Sequence, residues 1–138
     1  MKLFYAGLMT YFNTTNNFKT AIGGRLFQEE APENTAYPYC VFDCIVNTQD
    51  DKFGVYIDDI IIQFSIFSEK TSSVEVHDAM TYLKALFNDC AFAITGGTLV
   101  HFYRLNSGLE RQEVETTKSG VQRIWHYHID YNATFQRN

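Results

Sequence analysis

The sequence predicts an α+β domain: an antiparallel β-sheet with two amphipathic helices packed on one face and a projecting β-hairpin. Three observations carry this. Two stretches, 55–67 and 121–135, alternate apolar and polar residues with the period of a strand. Two others, 2–15 and 71–88, repeat apolar residues at helical spacing. Twelve Phe and nine Tyr stand against only two Pro in 138 residues, a sheet-rich composition with short turns. The length fits one domain spanning 1–138.

In KLFYAGLMTYFNTT, Phe4, Leu8, Tyr11 and Phe12 form one helical stripe. Asn13 to Asn17 is the exit, and residues 18–22 add a further turn. Gly23 and Gly24 can take positive φ and stop the segment. Arg25-Leu26-Phe27 is a short extended run. Glu29, Glu30 and Glu33, with Pro32 and Asn34, compose a solvated loop. Pro38 pushes Tyr37 into an extended conformation, and Tyr39 to Val46 reads as a strand. Residues 47–54 read as a loop and 55–67 as a strand antiparallel to the previous one. There Ile60, Ile62, Phe64 and Ile66 form the core face. Ser72 and Glu75 have the spacing of a capping box for the helix over 71–88, whose stripe is Val76, Met80, Leu83 and Phe87, and Asn88-Asp89 ends it.

Beyond residue 90 the turns look regular. An apolar run at 90–94 is followed by Gly96-Gly97 as a hairpin signal, then a strand over 98–105. Asn106-Ser107-Gly108 and Ser119-Gly120 read as turns bounding 109–117, which is polar on both faces. In 121–135 the core side is Val121, Trp125, Tyr127, Ile129, Tyr131, Ala133 and Phe135, interrupted by Arg123. Gln122, Ile124, His126, His128, Asp130, Asn132 and Thr134 lie opposite. The resulting order is α-β-β-β-α-β-β-β-β.

The net charge is −5. The first hundred residues hold six Lys/Arg against twelve Asp/Glu, so no basic stripe for binding phosphates exists there. No apolar stretch approaches a membrane span, and the N-terminal run is broken by Tyr5, Gly7 and Thr10, unlike a signal peptide. Cys40 and Cys44 sit roughly 13 Å apart on one strand, too far for a disulfide. The odd count of three, with Cys90, fits a reducing compartment.

Chemistry-bearing patterns are sparse. His126-x-His128-x-Asp130 places two imidazoles and a carboxylate on one strand face, and His101 on a nearby strand is a further potential ligand. This is the basis of an alternative reading, a small metal-dependent or ligand-binding enzyme. The solvent face of a long strand explains the same residues more simply. Cys40 and Cys44 read as small buried hydrophobes, and Asp58-Asp59 point to opposite faces. No phosphate loop or nucleophile elbow is present, and no cofactor is expected. Surface contacts remain. Asp50, Asp51 and Lys52 form a charged loop tip flanked by Phe53 and Tyr56, large aromatics suited to anchoring an interface. Arg111, Glu113 and Glu115 lie on the polar hairpin, whose edges can pair with a neighbour.

Taken in order, the pieces resemble the tail-completion proteins of long-tailed bacteriophages, the tail terminator or tail-to-head joining group. A helix ends in GGR (Gly23-Gly24-Arg25), Ala31-Pro32 leads to YPY (Tyr37-Pro38-Tyr39), and an acidic loop precedes I-x-F-x-I-F-S (Ile62 to Ser68). The helix then ends in L-x-x-L-F (Leu83 to Phe87). The resemblance implies a subunit of a homo-oligomeric ring, commonly a hexamer, at the virion tail or neck and assembled in the host cytoplasm. Such a ring caps the tail tube protein's polymer and docks the head-completion, or stopper, protein. DNA passes through its lumen without specific binding. The family has no catalytic residues to carry over and involves no membrane.

Overall fold

The computed structural model describes residues 1–116 and 120–138, with side chains described outside 112–122. The elements are α1 (Lys2–Phe12), α2 (Asn17–Ala21), β1 (Leu26–Gln28), β2 (Tyr39–Lys52), β3 (Val55–Ser68), α3 (Val74–Phe87), β4 (Gly97–Thr116) and β5 (Gly120–Arg137). The strands form one sheet in the order β1-β2-β3-β5-β4. The class is α+β, but the sheet is mixed: β1 pairs parallel to β2, Leu26 opposite Cys40, whereas the sequence suggested an antiparallel sheet throughout. The chain returns through residues 29–38 to lay β2 beside β1 in the same direction.

That return explains why GGR and YPY belong together. Arg25 donates from Nε to the Pro38 carbonyl (2.9 Å) and from Nη2 to the Tyr37 carbonyl (3.2 Å). Gly23 has φ of 61°, and a Cβ there would lie 2.6 Å from Arg25 Nη1. The glycine therefore leaves room for the guanidinium that clamps the two segments.

Helical stripes and strand alternation meet in one core. Phe64, Phe42, Ile62, Tyr131 and Ala133 from the sheet pack with Phe4, Leu8 and Phe12 of α1, Phe18 of α2, and Leu83 and Phe87 of α3. The Phe87 ring lies 4.8 Å from that of Phe64 and 5.7 Å from that of Phe102. Tyr131 donates its hydroxyl to Asn88 Oδ1 at 2.6 Å, satisfying a polar tip carried into the core. No helix among the described residues is long and apolar enough to cross a membrane.

Several local expectations change. Residues 47–54 are not a loop: β2 and β3 pair as far as Lys52 opposite Val55. Phe53 (φ 47°) and Gly54 (φ 83°) make a two-residue turn, both left-handed as a type I′ hairpin requires. Asn106-Ser107-Gly108 is not a turn, because β4 continues through it with a bulge between Arg104 and Ser107. The polar 109–117 stretch is thus the distal part of the same strand. The apolar 90–94 run is not a strand and contributes only the bridge Ile94–Gly97. Two long strands accordingly replace the four expected after α3. The capping box is not formed as expected. Ser72 Oγ accepts from Val74 N (3.3 Å), while Glu75 takes a hydrogen bond from Ser68 Oγ (2.7 Å). The Ser119-Gly120 turn falls outside the described residues.

Candidate functional site

The residues singled out from sequence occupy opposite ends of the sheet. Asp50, Asp51, Lys52, Phe53 and Tyr56 lie at the β2–β3 tip, next to the end of β5, where Tyr56 pairs with Arg137. Arg111, Glu113 and Glu115 lie where β4 and β5 extend beyond β3, whose last pair is Ser68 with Trp125. About 3.4 Å per residue puts the two groups roughly 40 Å apart along β5. They form two separate groups, not one.

At the first tip, Arg137 ties three strands together. Its Nη2 donates to Asp51 Oδ1 (2.8 Å), and its Nε lies 3.0 Å from Asp58 Oδ2 as an ion pair whose N–H is not aimed at the oxygen. Its guanidinium lies 5.5 Å from the centroid of the Tyr56 ring, within cation–π range. Gln49 donates to Asp51 Oδ2 at 2.7 Å, and Lys52 pairs with Asp50 at 3.4 Å on the exposed side. Phe53 is fully exposed. A large apolar side chain held out on a left-handed residue costs both solvation and backbone energy. Arg137 escaped the sequence reading because it sits past the last alternating residue and belongs to no motif.

At the other end, the Arg111 guanidinium lies 5.1 Å from the Trp125 ring centroid. Trp125 Nε1 donates to the Thr71 carbonyl (3.4 Å), anchoring the root of the extension to the start of α3. Glu113 and Glu115 pair in register with Arg123 and Val121; their side chains lie outside those described.

Between the ends runs the open face of the sheet, opposite the helices. Tyr39 stacks on Phe67 (5.0 Å), and Phe67 stacks on His126 (4.5 Å). Both ring nitrogens of His126 are buried without a hydrogen-bond partner. Burial holds its pKa below the ordinary imidazole value, with Glu110 opposing and His128 reinforcing that shift. The suggested metal site is not assembled. The His126 and His128 rings are 6.1 Å apart, Asp130 accepts from Gln63 Nε2 (3.0 Å), and His101 pairs with Thr134. His101 is therefore six residues along β5 from His128, roughly 20 Å away. Thr134 gives its single hydroxyl proton to Asp59 (2.7 Å). Its oxygen then accepts from His101 Nε2 at 2.8 Å, and the same N–H faces Asn132 Oδ1 at 2.9 Å. A protonated Nε2 has no lone pair for a metal. Among the described residues, no three His, Cys, Asp or Glu side chains form a group that could hold a metal ion.

The thiols are equally unsuited to attack. Burial pushes Cys40 far above the ordinary thiol range and Cys90 up to about 12, so both stay protonated near neutral pH.

No curated protein matches the sequence. A solved chain from the virion of a native gene transfer agent (GTA) particle shares the fold, with a TM-score of 0.67 at 12% identity, covering 95% of this chain and 92% of that one. The family model for tail completion protein gp17 matches residues 7–128. That match runs from α1 into β5 and takes in the Arg25 clamp and the whole β2–β3 hairpin, so the chain belongs to the tail-completion family of tailed bacteriophages and is a structural component of the virion tail.

Proposed function

We propose that the chain, acting as one domain, assembles into a homo-oligomeric ring, a hexamer, at the end of the tail tube. There it stops tube polymerisation and joins the tail to the head through a head-completion protein. The observation that carries this reading is the family match over residues 7–128. Sharing a fold over 95% of its length with a chain from a virion particle supports it. A ring that closes a tube must meet one partner above and another below, and the two hairpin ends provide separate surfaces roughly 40 Å apart. Asp50, Asp51, Lys52, Phe53 and Tyr56 would serve one partner, and Arg111, Glu113 and Glu115 the other. A net charge of −5 suits a lumen through which DNA slides without sticking. The role is architectural, without catalysis or cofactor.

The test combines light scattering and negative-stain microscopy of the purified chain, alone and with tube protein, against variants shortened in either hairpin. The intact chain is expected to form rings and to limit tube length. Each shortened variant is expected to keep its circular dichroism spectrum and lose one contact. Tubes that grow to the same lengths with and without the intact chain would overturn the reading.

A further inference from the structure

The sheet leaves two edges unpaired. β1 covers only Cys40–Phe42 of β2, so no strand among the described residues flanks the outer side of Val46–Lys52. At the opposite edge β4 pairs with β5 alone, and from Thr98 to Arg104 its outer side likewise has no strand neighbour among the described residues. Soluble proteins usually blunt such edges with charge or proline. Here both edges carry exposed apolar side chains: Ile45 (48%) and Val46 (45%) on β2, Val100 (55%), Tyr103 (42%) and Leu105 (42%) on β4.

The two edges match in height and direction. Across the sheet, Val46, Ile61, Asn132 and Tyr103 form one row, and Thr48, Asp59, Thr134 and His101 another. Bulges interrupt β2 between Cys44 and Val46 and β4 between Arg104 and Ser107, at nearly the same level, and a second β4 bulge between Leu99 and His101 leaves Val46–Thr48 and His101–Tyr103 as the facing regular stretches. Each of the pairs β2–β3, β3–β5 and β5–β4 is antiparallel. β4 of one copy and β2 of the next therefore run antiparallel when the copies are related by rotation about an axis along the strands. Such a rotation also preserves height.

We infer that the outer edge of β2 in one copy pairs antiparallel with the outer edge of β4 in the next, setting Val46 against Tyr103 and Thr48 against His101. The same register carries the Phe53 tip past Gly97, onto an apolar hollow of about 520 Å³ lined by Ala91, Phe92, Ile94 and Leu99. Because the two edges differ, the contact is heterologous and closes into a ring when the rotation allows. This rests on the ring reading above and specifies its subunit contact.

Disulfide trapping in the full chain tests it. V46C/Y103C, oxidised and run on a non-reducing gel, is expected to give a ladder of covalent multimers ending at the ring size. Either single variant and the unsubstituted protein give no ladder beyond dimer. In parallel, T48C/H101C, two rows along in the same register, is expected to give the same ladder. Rings that form without a ladder from either pair would overturn this contact while leaving the ring reading intact. Strict monomers with and without tube protein would overturn both.

Discussion

The two faces of the sheet are built from alternate residues of the same strands, yet they do different work. On β3, Ile60, Ile62, Phe64 and Ile66 are fully buried beneath the helices, while their immediate neighbours Ile61, Gln63, Ser65 and Phe67 are only half-buried. The helix-covered face is apolar and crowded with rings, where every lost contact leaves a void. The open face pairs several of its polar groups locally, Gln63 with Asp130, Thr134 with Asp59 and His101 with Asn132, and leaves His126 held by ring stacking alone. The packed side thus carries most of the buried apolar surface, and the open side carries less.

Breaking the comparison directly takes two substitutions on one strand. Phe64→Ala removes rings packed at 4.8 Å on Phe87 and 5.8 Å on Tyr131, and is expected to cost about 3–5 kcal/mol in urea denaturation. Phe67→Ala, three residues along on the half-buried open side, loses its stacks on Tyr39 and His126 and should cost less in total, about 1–3 kcal/mol. Comparable losses would mean that the open face also bears the fold. Next in size is Arg137→Ala. Its ion pairs are a third exposed, so stability should change by no more than about 1 kcal/mol, with the effect shrinking as salt rises. Assembly, measured by light scattering, should suffer more, because the β2–β3 tip loses its brace. A global unfolding penalty larger than the assembly defect would reverse that ranking.

The smallest expected effect concerns pH. The folded chain resists protonating His126, and the unfolded chain does not, so the unfolded state binds more protons below the ordinary imidazole pKa of about 6.5. Stability should therefore decline as pH falls through that value. His126→Phe keeps an aromatic ring against Phe67 and removes this part of the decline. Identical melting-temperature profiles for the two proteins from about pH 7.5 to about pH 5 would remove His126 as the cause.

What was legible in the sequence follows the same division. The core positions of β3 and β5 and the stripes of α1 and α3 could be read because burial imposes a period on residue type. The extent of β2 could not. Asn47 to Lys52 has little strand propensity and is held extended by pairing with β3 and by Arg137. Asn106-Ser107-Gly108 has turn chemistry but lies opposite the unbroken alternation of β5, which keeps β4 paired on either side of its bulge. The parallel β1 depends on where a loop returns, and no local pattern encodes that. Of the candidate contacts, the Phe53 tip was legible from its aromatic and charged neighbours. Val46, Tyr103 and Arg137 became visible only once strand order showed which edges are free.

Strand order also bears on how the molecule comes into being. The β2–β3 and β4–β5 hairpins are local in sequence, whereas the seam between β3 and β5, from Tyr56–Arg137 to Ser68–Trp125, joins residues far apart along the chain. Loop-closure entropy opposes that seam before its contacts repay it. Since β5 lies between β3 and β4, neither hairpin edge reaches its final position until the seam zips. A half-zipped chain would present β3 and β5 as additional bare edges in a cell filling with identical subunits. The late-joining seam is thus the step at which productive folding competes with misassembly.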